Sequence, residues 1–167
     1  MIPGPPFRIG HGYDAHRFAP GRALVLGGVR IEHDRGLAGH SDADVLTHAV
    51  IDAMLGAMAL GDLGRHFPST DARWKDASSL DLLGRVRTMV EKAGGQVVQV
   101  DTILYLERPK VANDVPRMQA ELARVLELPI ERIAVKATTT DGMGFVGAEE
   151  GAAASAVVLV AIKTDGS

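Results

Sequence analysis

Asp14-Ala15-His16 sets a carboxylate and an imidazole two residues apart, and His48 lies one helical turn after Asp44 and one before Asp52. In an extended chain, residues two apart point to the same side. Asp14 and His16 can therefore converge on one cation. With His48 they form a mixed nitrogen–oxygen set of three ligands, which leaves a fourth tetrahedral position open as catalytic zinc sites do. Mn²⁺ and Fe²⁺ accept the same donors. Asp52 is expected to accept the second ring N–H of His48 and so fix its tautomer and orientation. The competing description is that Asp-x-His is ordinary loop sequence and His48 a hydrogen-bonded core histidine. Spacing alone leaves both open.

Other segments carry weaker chemical signals. His40-Ser41 stands at the expected start of a helix, where free backbone N–H groups and the helix dipole favour a phosphate; Ser41 also reads simply as the helix cap. Lys136-Ala137-Thr138-Thr139-Thr140-Asp141-Gly142 offers an amine, three hydroxyls and a carboxylate at the end of a strand. Such a set suits phosphates and a hard cation, though it lacks the P-loop spacing. Gly61-Asp62-Leu63-Gly64 and His66 to Asp71 read as a turn and a loop along a cleft, or as helix termination followed by surface loop. Five of the six histidines fall by position 48.

The elements that must position these groups follow from periodicity and turn chemistry. A strand is expected over Phe7–His11. A short hairpin joins Leu24–Leu26 to Val29–Ile31 through Gly27-Gly28. Asp34–Gly39 reads as loop. Ser41-Asp42-Ala43-Asp44 fits a capping pattern and opens a helix whose apolar face carries Val45, Ala49, Ile51, Leu55 and Met58. A second helix starts at Ser78 or Ser79, buries Leu82, Leu83, Val86, Met89 and Val90, and stops at Gly94-Gly95. A long strand over Gln96–Tyr105 is followed by a helix over Asn113–Leu126 with Pro116 in its first turn. Strands over Ile133–Ala137 and Ala152–Ile162 flank a Gly-rich loop, Gly142–Gly151. The class is α/β or α+β: a four-stranded mixed sheet with helices on one face, in a single domain over 1–167, with 1–6 as a disordered or extended tail.

Composition bounds the function. The 167 residues carry 18 Lys+Arg against 21 Asp+Glu, a net charge of −3, which excludes a strongly basic nucleic-acid-binding domain. The hydrophobic fraction of 46% excludes the low-hydrophobicity signature of disorder. With 0 Cys there is no thiolate nucleophile, disulfide or iron–sulfur cluster, so a metal must use His, Asp or Glu. The first residues lack a signal-peptide pattern. The longest apolar stretch, Gly151–Ile162, falls short of the about 20 residues a bilayer takes. The expectation is a cytoplasmic protein with no membrane or nucleic-acid partner.

Taken together, these segments resemble one family, the 2-C-methyl-D-erythritol 2,4-cyclodiphosphate synthases of the non-mevalonate (MEP) isoprenoid pathway. The matching pieces are Arg8-Ile9-Gly10-His11-Gly12-Tyr13-Asp14-Ala15-His16, His40-Ser41-Asp42-Ala43-Asp44 with His48, Gly61-Asp62-Leu63-Gly64, Phe67-Pro68-Ser69-Thr70-Asp71, Arg108-Pro109-Lys110 and Lys136-Ala137-Thr138-Thr139-Thr140. In order and spacing they run from Arg8 to Lys163. The resemblance implies a homotrimer, assembled around its sheets, with active sites between subunits. It implies Zn²⁺ on Asp14, His16 and His48, and Mg²⁺ or Mn²⁺ near Asp141 with the substrate diphosphate. The substrate would be 4-diphosphocytidyl-2-C-methyl-D-erythritol 2-phosphate, and the products the cyclic diphosphate and CMP, which makes the enzyme a phosphorus–oxygen lyase. His40 and Thr139 match the family's transition-state-stabilising pair.

The resemblance also implies the substrate contacts. Asp14, His16 and His40 would contact the substrate, and Ser41, Asp62, Leu63 and Gly64 would face the methylerythritol. Phe67, Pro68, Ser69, Thr70 and Asp71 would form a loop over it. Leu106, Glu107, Arg108, Pro109, Lys110, Val111 and Ala112 would wrap the cytosine, with Lys110 near the phosphates. Thr138, Thr139, Thr140 and Asp141 would meet the diphosphate, with Phe145 beside the site. The chain departs from the family pattern at two positions. Asp141 stands where many members have Glu, and a shorter carboxylate can still bind Mg²⁺ through water. Ala148 stands where many have Arg, which removes a phosphate partner from the central cavity of the trimer. The competing functions are a metal-dependent nucleotide phosphohydrolase using the same ion, and a non-catalytic trimeric metal- or isoprenoid-binding module.

Overall fold

A computed structural model describes residues 6–163; the expected tail falls, apart from Pro6, outside the described residues. The chain runs β1 (Phe7–Pro20), β2 (Leu24–Leu26), β3 (Val29–Ile31), β4 (Arg35–Leu37), α1 (Val45–Ala57), α2 (Leu63–His66), α3 (Ser79–Lys92), β5 (Gly95–Tyr105), α4 (Val115–Leu126), β6 (Ile133–Thr138), α5 (Gly144–Gly147) and β7 (Gly151–Ile162). The main sheet has five strands in the order β4-β1-β7-β5-β6, and β2 and β3 form a separate hairpin. The sheet is mixed: β5 and β6 are parallel, while β1 with β7, β7 with β5 and β1 with β4 are antiparallel.

The strand count corrects the expectation of four. β1 does not stop at His11 but continues to Pro20. Its pairing with β7 ends at Arg17 opposite Gly151, so the backbone beyond needs another partner. β4 supplies it, Phe18 facing Leu37 and Pro20 facing Arg35, inside the segment expected to be loop. A three-residue strand centred on Gly36 has no periodicity to read. The expected Gly-rich loop before β7 likewise contains the short helix α5.

The core lies between the sheet and α1, α3 and α4. α1 rests on β1 and β7, α3 on α1 and β5, and α4 on α3 and β6. Nearly every residue of α1 is buried, as expected of a helix that is apolar all round and enclosed by sheet and helices. Its close approach to β1 depends on two glycines. A Cβ on Gly10 would fall 1.7 Å from the Ala53 carbonyl oxygen, and one on Gly12 would fall 2.0 Å from that of Ala49. Two residues of strand advance about 6.6 Å and four of helix about 6.0 Å, so the two elements stay in step along this seam. The opposite sheet face exposes Ile9 (72%), Tyr13 (53%) and Val157 (45%).

The helix start also differs from expectation. Asp44, not Ser41, caps α1, its carboxylate accepting from Thr47 N at 3.0 Å. The residue before it, Ala43, has φ +56 and is fully buried, so the chain turns there instead of entering a helix. Asp44 also accepts from Gly27 N at 2.9 Å and Gly28 N at 2.6 Å, tying the β2–β3 turn to α1. Burial pushes the Asp44 carboxyl pKa up against these donors. No helix among the described residues is long and apolar enough to cross a membrane.

Candidate metal centre and its cleft

Asp14 and His16 continue the Gly10–Gly12 face of β1 toward α1, where the helix presents His48 next to Ala49, the residue whose carbonyl meets Gly12. The side chains meet. Asp14 Oδ2 lies 2.9 Å from His16 Nε2 and 2.9 Å from His48 Nδ1, and the two imidazole nitrogens are 3.3 Å apart. Donors held tetrahedrally at 2.0–2.1 Å from one ion stand about 3.3 Å from each other. The three atoms thus already approximate one face of a coordination tetrahedron, and the residues fit a divalent transition metal.

The electrostatics agree with that fit. Burial pushes the Asp14 carboxyl upward, but hydrogen bonds from His16 and His48 and their charge outweigh it, so the group stays well below the usual carboxylate range. The hydrogen bond to Asp14, reinforced by its charge, raises His16 above 6.5 against the cost of burial. His16 Nδ1 donates to the Ala38 carbonyl at 2.6 Å, which turns Nε2 toward Asp14 and His48. His48 Nε2 lies 2.9 Å from Ser79 Oγ and 3.2 Å from Ser41 Oγ. Asp52 does not take this part. Its Oδ1 accepts from Leu63 N at 2.7 Å, holding the start of α2 against α1, and burial raises its pKa.

A cleft of about 560 Å³ opens on the trio and is lined also by His40, Ser41, Asp52, Asp62, Leu63, Gly64, Phe67, Pro68, Ser69, Thr70, Trp74 and Leu82. All of these lining residues except Trp74 and Leu82 are among the site residues expected from the sequence. Phe67 packs edge-on against Trp74, ring centroids 5.0 Å apart, which fixes the loop at the cleft wall. Asp71 stands apart from this lining, its carboxylate held by Arg73 Nη2 at 2.6 Å.

The remaining site residues lie elsewhere on the chain. Leu106, Pro109, Lys110, Val111 and Ala112 surround a smaller hollow of about 170 Å³ with Ala137, Thr138 and Thr139. Beside it, Thr140 N donates to Glu107 Oε2 at 3.4 Å and Thr140 Oγ1 donates to the Met143 carbonyl at 2.6 Å. Arg108 pairs with Glu149 at 3.5 Å, and Asp141 is exposed with φ +55. Phe145 borders a third hollow with Ala15, His16, Arg17 and Glu150. In the sheet, β7 and β5 intervene between β1 and β6, a separation of three strand spacings, about 14 Å. His40 lines the larger cleft and Thr139 the smaller hollow of the same chain.

Three groups around the centre were not found from sequence: Ala38, Ser79 and Asp42. Ser79 Oγ donates to Asp42 Oδ1, and Ser79 N donates to Asp42 Oδ2 at 2.9 Å. Ser79 is legible as a helix start, but no spacing reveals its contact with a side chain 31 residues away.

With this geometry in place, comparison with known proteins identifies the relatives. The model of the YgbB family matches residues 7–161. The 2-C-methyl-D-erythritol 2,4-cyclodiphosphate synthase of Salinibacter ruber is 60% identical over 153 residues, covering 92% of this chain and 98% of the relative. A 2C-methyl-D-erythritol-2,4-cyclodiphosphate synthase solved in a CDP-bound form superposes with a TM-score of 0.84 at 38% identity, covering 92% of this chain and 99% of that one. The Plasmodium falciparum IspF–CDP complex gives a TM-score of 0.83 at 28% identity, covering 95% and 97%.

Proposed function

Because the chain belongs to the YgbB family, that of the 2-C-methyl-D-erythritol 2,4-cyclodiphosphate synthases, we propose that it is such a synthase. It converts 4-diphosphocytidyl-2-C-methyl-D-erythritol 2-phosphate to the 2,4-cyclodiphosphate with release of CMP, as a phosphorus–oxygen lyase of isoprenoid precursor synthesis. The observation that carries the reading is the convergence of Asp14, His16 and His48 on one point beside an open cleft.

In this reaction the 2-phosphate oxygen bonds to the β-phosphorus. The bond from that phosphorus to the oxygen bridging toward the α-phosphate breaks, and its electron pair leaves with CMP. Nucleophile and electrophile are both anionic, so the site must hold them in line and neutralise their charge. Zn²⁺ on Asp14, His16 and His48, and Mg²⁺ or Mn²⁺ near Asp141, would supply Lewis-acid polarisation of phosphoryl oxygens. His40 and Thr139 donate hydrogen bonds to the phosphates as charge moves between them. Asp62, Leu63 and Gly64 hold the methylerythritol, with the Phe67–Thr70 loop over it. Leu106–Ala112 takes the cytosine, and Lys110 and Thr138–Asp141 take the diphosphate. No side chain needs to become a covalent intermediate.

The site is completed between subunits of a homotrimer. Two features support this: His40 and Thr139 lie in separate clefts of one chain, and the sheet face opposite the helices leaves Ile9, Tyr13 and Val157 exposed. The chain forms one catalytic domain, and we place it in the cytoplasm. Ala148, where many members carry Arg, caps α5 without offering a charge, so the trimer's central cavity lacks that phosphate partner.

The test is product analysis. Purified protein with Mg²⁺ and the cytidyl substrate should release CMP together with a cyclic diphosphate, resolved by phosphorus NMR. CMP with an open-chain bisphosphate would instead establish hydrolysis and overturn the cyclase reading. Bound zinc with no turnover would leave only a binding module.

A further inference from the structure

His48 faces the metal centre through Nδ1, and its other ring nitrogen is held just as firmly. Ser79 is fully buried, and its Oγ lies 2.9 Å from His48 Nε2. A serine hydroxyl carries a single proton. Here that proton is directed to the Asp42 carboxylate, because Ser79 Oγ donates to Asp42 Oδ1. The Ser79 oxygen is then left to accept, so Nε2 of His48 must carry its hydrogen toward it. An imidazole anchored in that way turns Nδ1 toward Asp14 and His16. Ser41 Oγ is a longer partner of the same nitrogen at 3.2 Å and itself accepts from Ala43 N at 3.3 Å.

We propose that Ser79, polarised by Asp42, is a positioning residue that fixes the tautomer and ring plane in which His48 can ligate a divalent cation. The inference rests on reading Asp14, His16 and His48 as cation ligands, and it gives this task to a pair outside the expected set. Asp52, the group spaced to do it, is engaged with Leu63 N.

The relay also reaches the cleft wall. Asp42 accepts from Ser79 N at 2.9 Å at the very start of α3, where the nominal cap, Ser78, makes no side-chain capping bond. Backbone bonds from Asp42 N to Ala77 O at 3.2 Å and from Asp76 N to His40 O at 2.9 Å fasten the same two segments. The His48 ring is thus set by the point at which the loop over the cleft enters α3. Partners that orient a ligating imidazole are worth about 10–100-fold in metal affinity.

Cobalt binding tests this directly. Protein stripped of metal is titrated with Co²⁺ against a competing chelator, and the visible ligand-field bands are recorded. Ser79→Ala should bind Co²⁺ about 10–100-fold more weakly, with altered bands. The variant removes no charge and keeps the Asp42 bond to the residue-79 backbone N–H. Asp42→Asn, which retains an oxygen acceptor, should show a smaller loss. In the zinc-loaded wild type, the His48 Nε2 hydrogen should give a slowly exchanging proton resonance. Ser79→Ala binding Co²⁺ within about twofold of wild type with unchanged bands overturns the proposal, and so does rapid exchange of that proton in the wild type. If the wild type binds neither cation, the ligand reading itself is wrong and the relay falls with it. If it binds them normally and only the relay results fail, the ligand reading stands.

Discussion

The cleft around His48 and the hollow beside Lys110 are built to different tolerances. In the first, the inward ring nitrogens of His16 and His48 point at Asp14 and the outward ones have partners, Ala38 O and Ser79 Oγ. The helix carrying His48 is pressed onto β1 where a Cβ has no room. In the second, Thr138, Thr139 and Asp141 are exposed or nearly so, and hydroxyls fold back onto neighbouring carbonyls, Thr138 Oγ1 to Thr139 O at 3.1 Å and Thr140 Oγ1 to Met143 O at 2.6 Å. The contrast is physical. Three ligand atoms must be preorganised, because misplacing one loses the ion. Under the proposed function, donors that take a highly charged diphosphate can reorganise around it, since the ligand brings the ordering charge.

The largest effect that breaks this contrast lies in the rigid half. His48→Ala should lose zinc by metal analysis and lower turnover about 10³-fold, the equivalent of several kcal/mol of lost charge stabilisation; undiminished zinc and turnover would remove His48 from the ligand set. In the adaptable half, Thr139→Ala should lower kcat by about 10²–10³-fold while zinc content stays at the wild-type level. Loss of metal there would show that the two halves are not independent.

Next comes the seam that carries His48. Gly12→Ala should destabilise the fold by about 1–3 kcal/mol in denaturant titrations and weaken metal binding as well, since α1 must move off β1. An unchanged midpoint would mean that the seam is not tight.

Smaller again is the effect of pH. The hydrogen bond that His16 donates to Asp14, with the Asp14 charge, raises His16, so the His16 contribution to the stability of the metal-free protein is fully present below about pH 6.5. That contribution is lost as pH rises through the raised value. Metal binding must displace the proton and runs the other way. Affinity should climb by as much as about tenfold per pH unit for one displaced proton as long as pH lies below that raised value, then level off above it. A flat profile across that window would contradict a protonated His16 in the metal-free state. The smallest effect is at Ala43, whose φ of +56 favours glycine. Ala43→Gly should leave stability unchanged or raise it by no more than about 1 kcal/mol, read from thermal melts.

Much of this was legible in the sequence, and the misses share a cause. The hairpin at Gly27-Gly28, the helix from Ser79, the helix expected from Asn113 and found from Val115, and the strands β5 and β7 announce themselves by local periodicity and turn residues. Asp14, His16 and His48 were legible because a two-residue strand spacing and a helical position each constrain direction. The Ser41 cap and the Asp52 partner were both inferred from helical spacing, and both gave way to tertiary structure. The left-handed turn at Ala43 delays the helix to Val45 and frees the Ser41 hydroxyl to approach His48. Asp52 is drawn to Leu63 N, while a serine from another helix takes its expected place. β4 was missed because its pairing is dictated by the unsatisfied end of β1, not by its own three residues.

The central claim is that each chain supplies two halves belonging to different sites, and mixing subunits tests it most directly. His48→Ala and Thr139→Ala chains, each inactive alone, are unfolded together, refolded in equal amounts and assayed. Sites completed between neighbouring chains of a random trimer draw an intact metal half and an intact nucleotide half about one time in four, so activity should return to about a quarter of wild type. Activity no higher than that of the separate variants would mean that both halves act within a single chain, contrary to this account.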